Sequence, residues 1–137
     1  MSTIKTKPLG PIPQGFETID GQLAIGGRTA SDLVDEAGRT PLFVYSRNLL
    51  DRRVAELRAA LPSRIGVNFA VKANPHPDVI AHMAPLVDGF DVASSGELAK
   101  LQEAGIDPTR VSFAGPGKRD EELEAAISAG ATLNCES

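Results

Sequence analysis

The stretch Ile65-Gly66-Val67-Asn68-Phe69-Ala70-Val71-Lys72-Ala73-Asn74-Pro75 is apolar and β-rich until it meets a lysine. Its residues alternate, with Ile65, Val67, Phe69 and Val71 on one face and Gly66, Asn68, Ala70 and Lys72 on the other. Lys72 therefore points to a side where its own strand offers only small groups, which leaves space beside the amine for something large and non-protein. Two readings follow. A lysine at a strand end can carry its charge to solvent on a flexible stem. A lysine held in a dry niche is instead driven towards the neutral amine, which condenses with a carbonyl to a Schiff base.

Outward from Lys72 the chain becomes regular. Strands are expected to begin near Ile65, Gly89, Arg110 and Ala131, a spacing of about 20 to 25 residues that matches βα units in a parallel sheet. Helices are expected over Pro77–Leu86, Ser95–Ala104 and Arg119–Ser128, with Gly105 and Gly130 as stops. Each strand divides a bulky face from a small one. Phe90 and Val92 oppose Gly89, Asp91 and Ala93; Val111 and Phe113 oppose Ser112 and Ala114; Leu133 and Cys135 oppose Thr132 and Asn134. Such a sheet suits a barrel whose helices cover the bulky side and whose interior keeps room for a ligand, with chemistry at the C-terminal strand ends, where Lys72 lies.

The first forty residues differ in character. Phe16–Gly27 carries a hairpin signal around Asp20-Gly21, and Thr29–Ala37 reads as a short helix capped by Thr29 or Ser31 and stopped at Gly38. Pro41-Leu42-Phe43-Val44-Tyr45 reads as a strand, and Ser46 is placed to cap a helix with Leu50, Val54, Leu57 and Leu61 at helical spacing, ending at Pro62. We divide the chain into a lead-in over 1–40, with Met1–Phe16 as a flexible start, and a partial barrel over 41–137. At 137 residues the chain is too short for a complete (β/α)₈ barrel, which takes about 250.

A net charge of −4 without a basic cluster argues against nucleic acid or an anionic membrane as partner, and no apolar run is long enough for a membrane span. Cys135 is the only cysteine, which rules out an internal disulfide and a cysteine-rich metal site and fits a reducing, cytoplasmic setting. His76 and His82 lack ligand-spaced partners, so no metal is expected. Gly115-Pro116-Gly117-Lys118 fails the phosphate-loop pattern, and Lys118 reads as a structural or surface residue rather than a catalyst. Asp91 reads either as an acidic partner for the Lys72 amine or as an acceptor ordering the next loop. Ser94 and Glu97 have the spacing of a capping box. Asn74 reads as a cap for the following helix or as a side chain beside a ligand.

The string Phe69-Ala70-Val71-Lys72-Ala73-Asn74 resembles the cofactor-lysine motif of the fold-type III pyridoxal-phosphate enzymes, among them the diaminopimelate, ornithine and arginine decarboxylases, with Phe69 where tyrosine is common. Gly89-Phe90-Asp91-Val92-Ala93-Ser94-Ser95-Gly96-Glu97-Leu98 and Phe113-Ala114-Gly115-Pro116-Gly117-Lys118 resemble two further motifs of that family, in the family's order. The resemblance runs from about Pro41 to the end and implies the N-terminal part of a (β/α)₈ barrel of about four βα units. It also implies pyridoxal 5'-phosphate as cofactor, Lys72 as the catalytic lysine, and Ala70, Asp91 and Glu97 at the cofactor. An amino acid is the implied substrate, diaminopimelate-like on the N-terminal likeness, and a homodimer the implied full-length assembly. In the family a stacking histidine, a glycine-rich phosphate loop, an acid for the pyridine nitrogen and a cysteine from the partner subunit lie in the later half, so this chain is expected to be a fragment, inactive alone. The rival readings are a non-catalytic remnant of the same fold and a racemase-like or cofactor-carrier protein.

Overall fold

A computed structural model describes residue 12 and residues 15–136 of the chain; nearly all of the expected flexible start lies outside them. The chain forms two compact units, one up to Arg52 and one from Arg53 onward.

In the first unit β1 (Glu17–Ile19), β2 (Gln22–Ile25) and β3 (Arg28–Thr29) form an antiparallel sheet in chain order. Ile19 pairs with Gln22, so Asp20 and Gly21 are the whole turn, and both take positive φ, 51° and 75°. That is the two-residue turn whose twist matches the flanking strands. Helix α1 (Ala30–Ala37) is capped by Thr29, whose hydroxyl accepts the Asp32 N–H at 3.1 Å while the Asp32 carboxylate accepts the Thr29 N–H at 3.4 Å. Gly38 ends it in the left-handed region.

The expected strand over residues 41–45 is not formed. That segment has no ladder partner among the described residues, and Phe43 and Tyr45 stand exposed, Phe43 at 86%. A strand is stabilised by its neighbours, so β-propensity without pairing does not make one. Helix α2 (Arg47–Ala60) follows Ser46 directly. Its expected apolar stripe is not a core stripe, since α2 has no buried residue and Leu57 is exposed.

In the second unit β4 (Asn68–Ala70), β5 (Gly89–Val92), β6 (Val111–Phe113) and β7 (Thr132–Leu133) form a parallel sheet in chain order, joined by α3 (Pro77–Met83), α4 (Ser95–Glu103) and α5 (Asp120–Ala129). This is an α/β fold with the expected strand spacing. Phe90, Val92, Val111 and Phe113 are fully or almost fully buried with Ile80, Met83, Leu98, Leu101 and Ala126 of the helices. The bulky face is therefore the core face. Phe69 meets Phe90 edge-on with ring centroids 6.2 Å apart, and the Arg110 guanidinium lies 5.9 Å from the Phe90 centroid.

The lysine strand is shorter than its alternation predicts. The Ile65 N–H closes a turn onto Pro62 O at 2.9 Å, which leaves Ile65 exposed and off the core face. At the other end Val71–Ala73 is a 3₁₀ turn, so Lys72 stands just beyond the strand. Helix α3 stops at Met83, before the expected Leu86, because the chain turns there, with Leu86 N–H donating to Met83 O at 2.9 Å.

The N-terminal strand ends are bolted by two arginines and Asp88. The Asp88 carboxylate accepts from Val67 N at 2.7 Å and Arg58 Nη1 at 3.0 Å, and Arg58 also donates to Leu86 O. Arg110 donates to Ala84 O, Val87 O and Asp88 O. The Arg58 bond, then the Val67 N–H, holds the Asp88 carboxyl below the usual range. Gly89 is required here, because a Cβ would lie 2.6 Å from Arg110 O and 2.7 Å from Asn68 Oδ1.

Candidate functional site

Strand register assembles the small face. Asn68 stands beside Gly89, and Ala70, Asp91, Ser112 and Thr132 form a row across β4, β5, β6 and β7. Ala70 and Asp91 are thus direct neighbours, and Lys72 follows Ala70 by two residues at the C-terminal strand end. The face is half-open: Ala70, Asp91 and Ser112 are half-buried, and Thr132 and Asn134 are exposed. Asn134 Nδ2 donates to Ser112 Oγ at 2.9 Å, adding an ordered polar pair next to Asp91. Strand parity signals Ser112 and Asn134, although neither belongs to the expected site set.

Lys72 itself is exposed. The dry niche expected around its amine is not built by the residues of this chain, because the small side chains that leave room for a ligand also leave the amine open to water. Glu97 makes the cap predicted for it in modified form. Ser94 Oγ accepts the Glu97 N–H at 3.3 Å, while the Glu97 carboxylate reaches past Ser94 to the Ala93 N–H at 2.8 Å. Its capping bond fixes the backbone where β5 leaves the sheet, so it orders the site edge while capping α4. Asn74 does not cap α3. The cap is His76, whose Nδ1 accepts the Asp78 N–H at 3.2 Å, and Asn74 Oδ1 instead accepts the His76 N–H at 2.9 Å. Pro77 occupies the first helical position, which places the cap one residue before it.

Lys118 is structural by its contacts. Its side chain is 10% exposed, and its ammonium donates to Gly115 O at 2.6 Å and Asn134 O at 2.8 Å, with Glu136 Oε1 at 3.8 Å. It closes one wall of an open cleft of about 430 Å³ that also involves Pro116, Leu133 and Cys135.

Glu122 was not singled out by any sequence signal, yet its carboxylate joins two helix starts. It accepts the Ser95 N–H and the Arg119 N–H, each at 3.1 Å. The Arg119 and then the Ser95 N–H bonds hold its carboxyl below the usual range. Its partner across the sequence, Ser95, is 27 residues away, beyond the reach of any local pattern.

The site is thus carried by a parallel α/β sheet, with an amine just past one strand end and a carboxylate on the adjacent strand, on a face of otherwise small or polar side chains. Residues 47–137 match the family model for the pyridoxal-binding domain of pyridoxal-dependent decarboxylases, and the chain belongs to that family. It is 39% identical over 112 residues to the diaminopimelate decarboxylase of Aquifex aeolicus, covering 82% of this chain and 26% of that protein. It is 42% identical over 96 residues to the diaminopimelate decarboxylase of Neisseria meningitidis serogroup A, covering 69% of this chain and 24% of that protein. Among solved structures, diaminopimelate decarboxylase from M. jannaschii in complex with L-lysine superposes with a TM-score of 0.72 at 28% identity, over 89% of this chain and 30% of that one. The chain thus spans about a quarter of the length of the curated relatives it matches.

Proposed function

We propose that this chain is the lysine-bearing part of a pyridoxal 5'-phosphate-dependent amino-acid decarboxylase acting on a diaminopimelate-like diamino acid. The observation that carries it is the juxtaposition of the Lys72 strand end with Asp91 through the Ala70–Asp91 register, on a face whose small residues leave room for a ring. Pyridoxal phosphate fits this donor set: a primary amine to hold its aldehyde, and a cleared face beside a carboxylate. When bound, the cofactor supplies an electron sink for the pair left behind by departing CO₂. Lys72 would hold it through its amine; Ala70, with only a methyl side chain, would keep the approach clear; Asp91, in register with Ala70 on the neighbouring strand, would supply a carboxylate at the cofactor end; Glu97 keeps the β5–α4 turn in place. Residues 41–137 are the partial, N-terminal portion of an eight-stranded barrel, preceded by the 1–40 lead-in, in a cytoplasmic enzyme that pairs as a homodimer.

The exposure of Lys72 favours a second reading, in which the chain as given is a non-catalytic relative that keeps the lysine motif. Treatment with pyridoxal phosphate and borohydride, followed by peptide mass mapping, separates the two. Selective label on Lys72 is the expected result; label spread evenly over surface lysines would refute the assignment.

A further inference from the structure

Among the described residues Glu122 is the only charged residue that is buried, at 8% exposure. A carboxylate taken out of water must be hydrogen-bonded, and this one uses its two oxygens on two different helices. Oε2 accepts the Arg119 N–H, with Arg119 Nε 3.5 Å away, and so caps its own helix α5. Oε1 accepts the N–H of Ser95, the first residue of α4, a donor that has no partner within its own helix. Capping α5 needs only the first bond. The second ties the turn after β5 to the turn after β6, at the C-terminal ends of both strands.

The β5–α4 turn is held by a short series of contacts. Ala93 N–H is bound by Glu97, Glu97 N–H by Ser94, and Ser95 N–H by Glu122. Only the last of these comes from outside the turn and its helix. We propose that Glu122 is a positioning residue for the candidate site: it sets the β5–α4 turn, with Glu97, against the β6–α5 turn, beyond the point where the Ala114 N–H to Val92 O bond of 2.9 Å joins the two strand ends. This deepens the proposed function and rests on its reading of Lys72, Asp91 and Glu97 as the cofactor end.

The bond can be cut from either side in the full chain. Glu122→Gln keeps the shape but turns an amide NH₂ towards one of the two N–H donors. Ser95→Pro removes the donor itself at a first helical position, after a Ser94 whose φ of −155° and ψ of 158° already suit a following proline. Glu121→Gln is the control, with the same charge change on a side chain that is 82% exposed.

Two readouts are taken: amide exchange at Ala93, which bonds to Glu97 and not to Glu122, and the yield of borohydride-trapped pyridoxal phosphate on Lys72. Ala93 protection is expected to fall about tenfold or more in each single variant, with no further loss in the double variant, while the control stays unchanged. Trapping on Lys72 falls in parallel. Unchanged Ala93 exchange in Ser95→Pro, or losses that add in the double variant, would overturn the proposal and leave Glu122 as a cap for α5. If the parent chain is not trapped at Lys72, the cofactor reading fails, and Ala93 exchange alone decides the role of Glu122. If Glu122→Gln does not fold, Ser95→Pro carries the test.

Discussion

Replacing Phe90 by leucine asks how much of the core depends on ring geometry and how much on volume. Phe90 is fully buried on the core face of β5, edge-on to Phe69 at 6.2 Å and beneath the Arg110 guanidinium at 5.9 Å. Truncation to alanine removes ring and volume together and costs about 3–5 kcal/mol. Leucine restores most of the apolar bulk but abolishes both ring contacts. The edge-on pair contributes about 0.5–1.5 kcal/mol. The guanidinium contact adds about 0.5–1 kcal/mol, so Phe90→Leu should cost about 1–2.5 kcal/mol. Against a domain stability of about 5–15 kcal/mol this is measurable without abolishing the fold. Urea unfolding followed by far-ultraviolet circular dichroism gives the difference, provided the slope with denaturant is unchanged. A leucine cost equal to the alanine cost, or below about 0.5 kcal/mol, would refute the reasoning, because the ring contacts would then be either the whole effect or none of it. A cycle with Phe69→Leu then isolates the pair.

Further outcomes follow from the same geometry. Gly89→Ala should destabilise by about 1–3 kcal/mol, since its Cβ meets a backbone carbonyl that cannot swing away; a thermal melt checks it. Lys72→Arg should leave the melt unchanged within about 0.5 kcal/mol, as expected for an exposed side chain, while abolishing pyridoxal-phosphate trapping at that position. Asp88, Asp107 and Glu122 are all held below the ordinary carboxylate range, Asp88 first by Arg58, Asp107 by the Thr109 N–H and hydroxyl, and Glu122 by the Arg119 and Ser95 N–H groups. Their folded forms bind protons less readily than the unfolded chain. The stabilisation is therefore complete above the unfolded carboxylate range near about pH 4 and is lost as pH falls through the lower folded values. Melting temperatures from pH 6 down to acid should fall along that limb, and Asp88→Asn should flatten it. Thr29→Ala should cost the first unit about 1 kcal/mol by removing the α1 cap, read from amide exchange across Ala30–Ala37.

Local rules were enough for most features whose partners lie within a few residues, although the α3 cap falls to His76 rather than Asn74. The Asp20-Gly21 turn, the Thr29 cap, the Gly38 stop and the strand spacing follow from positive φ, orphan helix donors and period-two alternation. Parity alone separated Phe90, Val92 and Phe113 from Asp91 and Ser112, because a strand cannot turn one residue over without its neighbours. The family motifs around Lys72 were legible because each is a short contiguous string.

Most of what failed was decided by contacts between distant residues. Residues 41–45 have strand composition but no ladder, and α2 has an apolar stripe but no buried residue; in both cases propensity lacked a tertiary partner. Lys72 stands in a 3₁₀ turn and in water, because exposure depends on what packs over a side chain and no alternation pattern encodes that. Glu122 shows the same limit in the opposite sense. Its helix-start position reads as an ordinary acidic first turn, and only the packing of α4 on α5 brings the Ser95 N–H to its second oxygen and takes the charge out of water. Sequence by itself determined most of the elements, the faces of the parallel strands and the lysine just past a strand end; the folded arrangement decided which groups are paired, because hydrogen bonds and burial depend on distance in space rather than along the chain.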